Sequence, residues 1–197
     1  MVLEGSVARL EPLTMAHAEG LIAAANDGEL WRSKVTVVPS AATMAAYIGK
    51  ALDEQAKGRQ VPFAIVHRPS GVVAGTTRYM NVEDAHRRRE IGSTWIAASR
   101  QRTALNTEAK LLMLTHAFED LRCIRVEFVT DELNTQSRAA ILRLGAKEEG
   151  VFRNHMVMPD GRLRHSVCHS IIEAEWPAVK ARLLERLARS EAKAGAA

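Results

Sequence analysis

Glu90 opens a segment whose residue types change twice before Lys110. Residues 90–96 favour a strand, residues 97–103 are small or polar, and helix formers take over from Ala104. A helix that starts close behind a strand offers unpaired first-turn N–H groups and the positive end of its dipole. That is an anion site suited to a pyrophosphate. Its candidate donors are Gln101, Arg102, Thr103, Ala104, Leu105, Asn106 and Thr107. The loop has no Gly-Lys-Ser/Thr and lacks the glycines of a dinucleotide fingerprint, so it is neither of those phosphate loops. Glu90, on the strand feeding this loop, is a candidate general base, directly or through water; the alternatives are a solvent-facing strand carboxylate or a partner of the nearby arginines. Glu127, on the next strand, is a lesser candidate.

Other reactive side chains offer less. His165 and His169 have the spacing of a metal pair on a helix, but on a strand they stand ~13 Å apart and cannot share one ion. Cys123 and Cys168 read as small buried side chains, and no metal is expected. A Gly-x-Ser-x-Gly elbow is absent, which argues against a serine hydrolase.

The elements that would position these residues follow from periodicity and breakers. Strands are expected at residues 6–13, 61–67, 72–80, 90–96, 124–130, 151–158 and 164–172. Helices are expected at residues 15–26, around Met44, Tyr47, Ile48, Ala51 and Leu52, and at residues 104–121 and 134–144. A last helix opens at Pro177. The order is βααβββαβαββα, a mixed α/β (α+β) domain over residues 1–190. Residues 191–197 read as a frayed tail.

The central segment resembles motif A of the GNAT N-acetyltransferases, in particular their RimJ/RimL-like branch. The branch reads Trp-Leu-x-Pro-x-x-Gln-x-x-Gly-x-Ala-Thr-Glu-Ala, and this sequence keeps Trp95, Gln101, Thr107, Glu108 and Ala109 in register, with Glu90-Ile91-Gly92 upstream. Asn134-Thr135-Gln136-Ser137-Arg138, then Ile141 and Leu144-Gly145-Ala146, resembles a second motif of the same branch. Ala104 replaces the motif-A glycine, and a positive φ there would be strained.

The resemblance implies a GNAT fold: a mixed central sheet of about seven strands with flanking helices, whose central strands splay to admit the pantetheine arm of acetyl-CoA. Backbone groups near Trp95 and Ile96 would pair with that arm, and Asn134, Ser137 and Arg138 would lie along the coenzyme. It implies direct transfer of an acetyl group to a primary amine, either a protein N-terminus or a small molecule. Many relatives protonate the leaving thiolate with a Tyr that falls here at Ile141, which leaves Ser137 as the available hydroxyl. Asn134 and Ser137 also have plain structural readings, as a helix N-cap and a first-turn polar residue. A CoA-binding module without transferase activity is the alternative function. A homodimer is also expected by likeness.

Bulk properties agree with this class. A chain of 197 residues fits one domain, and 47% hydrophobic with 25% charged residues is a globular balance. A formal charge of +4 permits anionic ligands without demanding nucleic acid, and His86-Arg87-Arg88-Arg89, after Glu83 and Asp84, reads as a solvated loop. No apolar run is long enough for a membrane span, and Met1-Val2-Leu3-Glu4-Gly5 does not read as a signal peptide. Two cysteines make no disulfide framework, so a cytoplasmic location is expected, with neither nucleic-acid nor membrane partners.

Overall fold

The computed structural model describes residues 1–194. The strands are β1 (Leu3–Glu4), β2 (Ala8–Pro12), β3 (Val61–His67), β4 (Val72–Glu83), β5 (Arg88–Ile96), β6 (Arg125–Asp131), β7 (Lys147–Val157) and β8 (Leu163–Ile172). The helices are α1 (Ala18–Asn26), α2 (Met44–Ala56), α3 (Ala104–Thr115), α4 (Thr135–Leu144) and α5 (Trp176–Ala194), with a π turn, His116–Asp120, prolonging α3. All eight strands form one mixed sheet in the order β1-β2-β3-β4-β5-β6-β8-β7. The extra strand is the two-residue β1, too short for any periodicity to mark; Leu3 and Glu4 pair with Leu10 and Arg9. The last helix runs on to Ala194, beyond the tail boundary expected at residue 191; residues 195–197 lie outside the described residues.

Each face of the sheet buries its own core. On one side α3 and α5 cover Leu10, Phe63, Ile65, Tyr79, Ile91, Val126, Phe128 and Ile171. On the other, Leu21 of α1 and Met44 and Ile48 of α2 pack with Leu13, Ala64 and Trp95. These two helices sit chiefly on β4 and β3. On β6 and β8 the same face carries Glu127, Asp131, Ser166 and Ser170, the residues that alternate with the buried Val126, Phe128 and Ile171.

Two irregularities shape the centre. Ile91 and Trp95 are four residues apart and would share a face in a regular strand, yet they belong to opposite cores. The cause is a bulge: Ser93 has φ 46°, and the β4–β5 register shifts between Thr76 and Arg78. Next to it, β5 and β6 pair in parallel only at Arg88–Arg125, Arg89–Val126 and Glu90–Glu127. Beyond Glu90 the two strands continue, to Ile96 and Asp131, without pairing. The sheet therefore splays at its centre.

Candidate active site

Glu90 lies at the last paired position before the splay, on the face shared with Glu127. It is 7% exposed, and its Oε2 accepts from Asn81 Nδ2 at 2.8 Å. Burial pushes its carboxyl up to about 7, and the Glu127 charge adds to this; the Asn81 bond and Arg164 pull the other way. The arginines beside it in sequence are engaged elsewhere. Arg88 bridges Glu83 and Glu127, and Arg89 pairs with Asp84 and lies over the Tyr79 ring. Glu90 is thus a buried carboxyl with an amide partner and a proton affinity matched to neutral pH.

The loop after β5 is held from several directions. Asp27, at the end of α1, accepts from Ser99 Oγ at 2.5 Å, and its carbonyl accepts from Ala98 N–H at 3.1 Å. Gly28 (φ 87°) permits this approach, since a Cβ there would lie 2.5 Å from the Ala98 Cβ. Gln101 Nε2 donates to the Ile96 carbonyl at 2.9 Å, and Gln101 Oε1 accepts from Gln136 Nε2 at 3.0 Å. That second bond brings the starts of α3 and α4 together. Thr103 is the N-cap of α3 and accepts from Leu105 N–H at 3.3 Å. The positive φ of the loop falls at Arg102 (φ 59°), not at Ala104, which is the first helical residue. The strain feared for an alanine at the glycine position therefore does not arise.

The other expected coenzyme residues divide by their engagements. Trp95 is 5% exposed and its Nε1 donates to Tyr47 at 3.3 Å; Ile96 is buried beside it. The Leu105 side chain is in the core and its amide donates to Thr103 Oγ1 at 3.3 Å. Thr107 is buried within α3. Asn106 carries a buried Oδ1 with no partner. Arg102 and Thr103 are exposed on the loop. At α4, Asn134 caps the helix by accepting from Ser137 N–H at 2.9 Å, and its Nδ2 donates to Thr36 Oγ1 at 2.9 Å. The Ser137 hydroxyl has no hydrogen-bond partner among the described residues, and its chain neighbour Gln136 touches Gln101. Arg138 donates to Glu148 Oε2 at 3.2 Å and to the Glu132 carbonyl at 3.4 Å. Ile141 is a core residue.

Sequence reasoning missed Asn81, Thr36, Gln136 and Arg164. Thr36, Gln136 and Arg164 act on residues remote in the sequence; Asn81 is nine residues from Glu90 but meets it across a pairing whose register shifts. The histidines behave as expected of separate side chains: His165 Nδ1 accepts from Asn154 N–H, while His169 is fully buried next to Glu148. Among the described residues no group of three or more His, Cys, Asp or Glu is placed to hold a metal ion.

The site thus combines a splayed sheet, a strand–loop–helix junction beside it and a buried carboxyl at the fork. The family model described as acetyltransferase (GNAT) domain matches residues 8–147. The chain belongs to that family of acetyltransferases. It is 32% identical over 110 residues to the Bacillus subtilis (strain 168) protein named "Putative ribosomal N-acetyltransferase YdaF". That match covers 56% of this chain and 59% of the relative, so the chain spans about three fifths of that protein's length. The crystal structure of a GCN5-related N-acetyltransferase from Brucella melitensis is similar at TM-score 0.86 and 32% identity, covering 95% of this chain and 85% of that one. Mycobacterium smegmatis RimJ, solved in complex with CoA-disulfide, shares the fold at TM-score 0.77 and 24% identity, covering 94% of this chain and 93% of that one.

The residues present fit a coenzyme of this kind. The α3 start supplies first-turn amides, and Asn106 keeps an unpartnered side-chain oxygen there. A side-chain amide can present either its oxygen or its NH₂, so it can meet a donor or an acceptor.

Proposed function

We propose that this protein transfers an acetyl group from acetyl-CoA to a primary amine by direct attack. The observation that carries the reading is Glu90 at the fork of the splayed strands, buried and held at a pKa of about 7, beside the cradle formed by the start of α3. The bound coenzyme supplies an acetyl thioester. Residues 101–107 would hold its phosphates, and the unpaired stretch of β5 up to Ile96 would pair with its arm.

Glu90 receives a proton from the acceptor ammonium, directly or through one water. The freed nitrogen adds to the thioester carbonyl carbon and the C=O pair moves to oxygen; as that pair returns, the C–S bond breaks and its electrons leave on sulfur. A backbone N–H of the unpaired β5 stretch stabilises the developing oxyanion. The nitrogen sheds its second proton as the amide forms, and that proton reaches the departing thiolate through the Ser137 hydroxyl or water, giving free thiol. An α-amine with a pKa near 8 needs less help from a base than a lysine near 10.4, so a base of pKa about 7 suits an α-amine. The motifs of the RimJ/RimL-like branch and the name of the Bacillus relative support a protein N-terminus as acceptor. A cytoplasmic homodimer completes the reading by family likeness; light scattering at micromolar concentration tests the assembly.

The reading is tested by a panel of amines monitored through thiol release, alongside thermal shift with acetyl-CoA. Transfer predicts both a raised Tm and acceptor-dependent thiol. A raised Tm without thiol release for any amine would leave a binding module.

A further inference from the structure

The open face beside Glu90 holds one arginine set apart from its neighbours. Ser166, Cys168 and Ser170 of β8 alternate with Val167, His169 and Ile171, and Ile171 lies in the α3/α5 core. Arg164 therefore shares the opposite face with Ser166, and its Nε donates to Ser166 Oγ at 2.9 Å. The arginines nearest it on β6, β8 and the start of β5 have carboxylate partners: Arg162 with Asp131, Arg125 with Glu127 and Glu149, and Arg88 with Glu83 and Glu127. Arg78, across β5 on the same face, is buried over the Tyr47 ring and donates to Gln60 instead, so it is less open to an outside anion. Among the described residues no carboxylate lies within ion-pair distance of Arg164. Its remaining donors are unused, although the side chain is only partly exposed.

Its surroundings explain the charge it keeps. Burial disfavours the guanidinium, Asp131 and Glu90 favour it, and Arg162 opposes it. The influence is mutual, since Arg164 also favours ionised Glu90. Asp131 is already bound by Arg162 at 2.5 Å and by Leu133 N–H at 3.0 Å. A half-covered guanidinium with free donors and no internal anion is arranged to receive an anion from outside, because a planar fork matches a carboxylate in two parallel hydrogen bonds.

We propose that Arg164 reads the acceptor: it holds a carboxylate that the acceptor carries on the same sheet face as the amine received at Glu90. This rests on the transferase reading and narrows it. The acceptor site is dipolar, with Glu90 taking the cationic end and Arg164 the anionic end. Polyamines are disfavoured, because their second cation would meet Arg164. The carboxylate comes either from an acidic side chain on the first residue of a peptide or from the α-carboxylate of a free amino acid.

The test compares acceptors matched in all but this charge. One pair is the peptide amides Asp-Ala-Ala and Asn-Ala-Ala; the other is alanine and alaninamide. Spermidine is the polycation. Rates are referred to the free-amine concentration, and thermal shift with acetyl-CoA is measured on every variant. In the wild type, kcat/KM for the anionic member of one pair should exceed that of its neutral match by roughly tenfold to a hundredfold, the range of a hydrogen bond to a charged group. The pair that responds identifies the source of the carboxylate. Arg164→Gln should abolish the preference, Arg164→Lys should restore part of it, and the Tm rise with acetyl-CoA should stay unchanged in both. Equal use of both members of both pairs by the wild type, or a preference that survives Arg164→Gln, overturns the proposal. So does faster turnover of spermidine than of either anionic acceptor. Absence of a Tm rise with acetyl-CoA in the wild type would overturn the coenzyme reading, and this proposal with it.

Discussion

Glu90 has two consequences at the scale of a single residue. A carboxyl held near 7 by burial is ionised at neutral pH only in part, so kcat/KM should rise through pH 7 as the base form appears. Glu90→Gln should remove that limb and lower turnover by roughly 10²-fold or more above pH 7, leaving only the limb of the acceptor amine. Stability follows with a definite sign. The folded-state pKa is raised, so this contribution is fully present below about 4.5 and is lost as pH rises through about 7. Glu90→Gln should therefore melt higher than the wild type at pH 8 and about equally at pH 4.5, in calorimetry at the two values. Ser137 is a smaller term. Its hydroxyl is free of internal bonds, and a CoA thiolate leaves reasonably well unaided. Ser137→Ala should lower kcat by about 10²-fold at most with little change in coenzyme affinity, the pattern of an interaction made mainly in the transition state. Wild-type rates would assign the proton to water. The sequence shows Glu90 as a carboxylate on a strand but not that Asn81 faces it, because Asn81 reaches it through a β4–β5 pairing that carries its own register shift.

Elements show why parts of the resemblance are structural. Glu108 of the motif does not face the coenzyme loop. It turns to the β1–β2 connection and accepts from the N–H groups of Ser6 at 3.0 Å, Val7 at 2.6 Å and Ala8 at 2.5 Å. Glu108→Ala would take this acceptor from the Val7 and Ala8 amides, the latter fully buried, and should cost about 3 kcal/mol in urea unfolding. A loss under 1 kcal/mol would mean that water replaces the carboxylate. Two residues on, Lys110 is buried under the β5 bulge, with Nζ at 2.7 Å from Thr94 Oγ1 and 3.2 Å from Thr77 Oγ1. Burial lowers its amine to about 7. For a depressed pKa the contribution is fully present above the ordinary lysine value and is lost as pH falls towards about 7. Wild-type Tm should therefore climb relative to Lys110→Met between pH 7 and pH 10. Thr77 and Thr94 remain bonded to each other at 2.7 Å, so the substitution leaves no orphaned hydroxyl. The helix periodicity that finds α3 in the sequence gives no hint of this lysine, since Lys110 occupies a position that reads as polar surface until the bulge brings Thr94 beneath it. The helices and most strands were legible because their apolar spacing is local. The bulge, the splay and β1 were not, because they depend on which strand lies alongside.

For the whole molecule, the splay divides one sheet into two wings joined by three register pairs. A coenzyme arm between them would replace the missing ladder and bind only the folded chain, adding stability by mass action, about 2.7 kcal/mol at a hundredfold excess over Kd. Hydrogen exchange with and without CoA should show new protection in residues 91–96, 128–131 and 102–107, and none in β7. Protection confined to other segments would move the coenzyme site.

The interleaved order of the last strands also matters while the chain is being made. β6 is complete at Asp131, but the neighbour that covers its outer edge, β8, ends only at Ile172. At about 5–20 residues per second, the roughly forty residues between these ends take on the order of 2–8 s to synthesise. During that interval β6 presents an open edge that another nascent chain could extend. β7 emerges first and would be the nearest strand to fill the gap wrongly. Its register with β8 breaks between Glu148 and Gly150 and again between Phe152 and Met156, and Lys147, Glu148 and Glu149 crowd its start with charge. The place beside β6 is therefore filled only once residue 172 has been made.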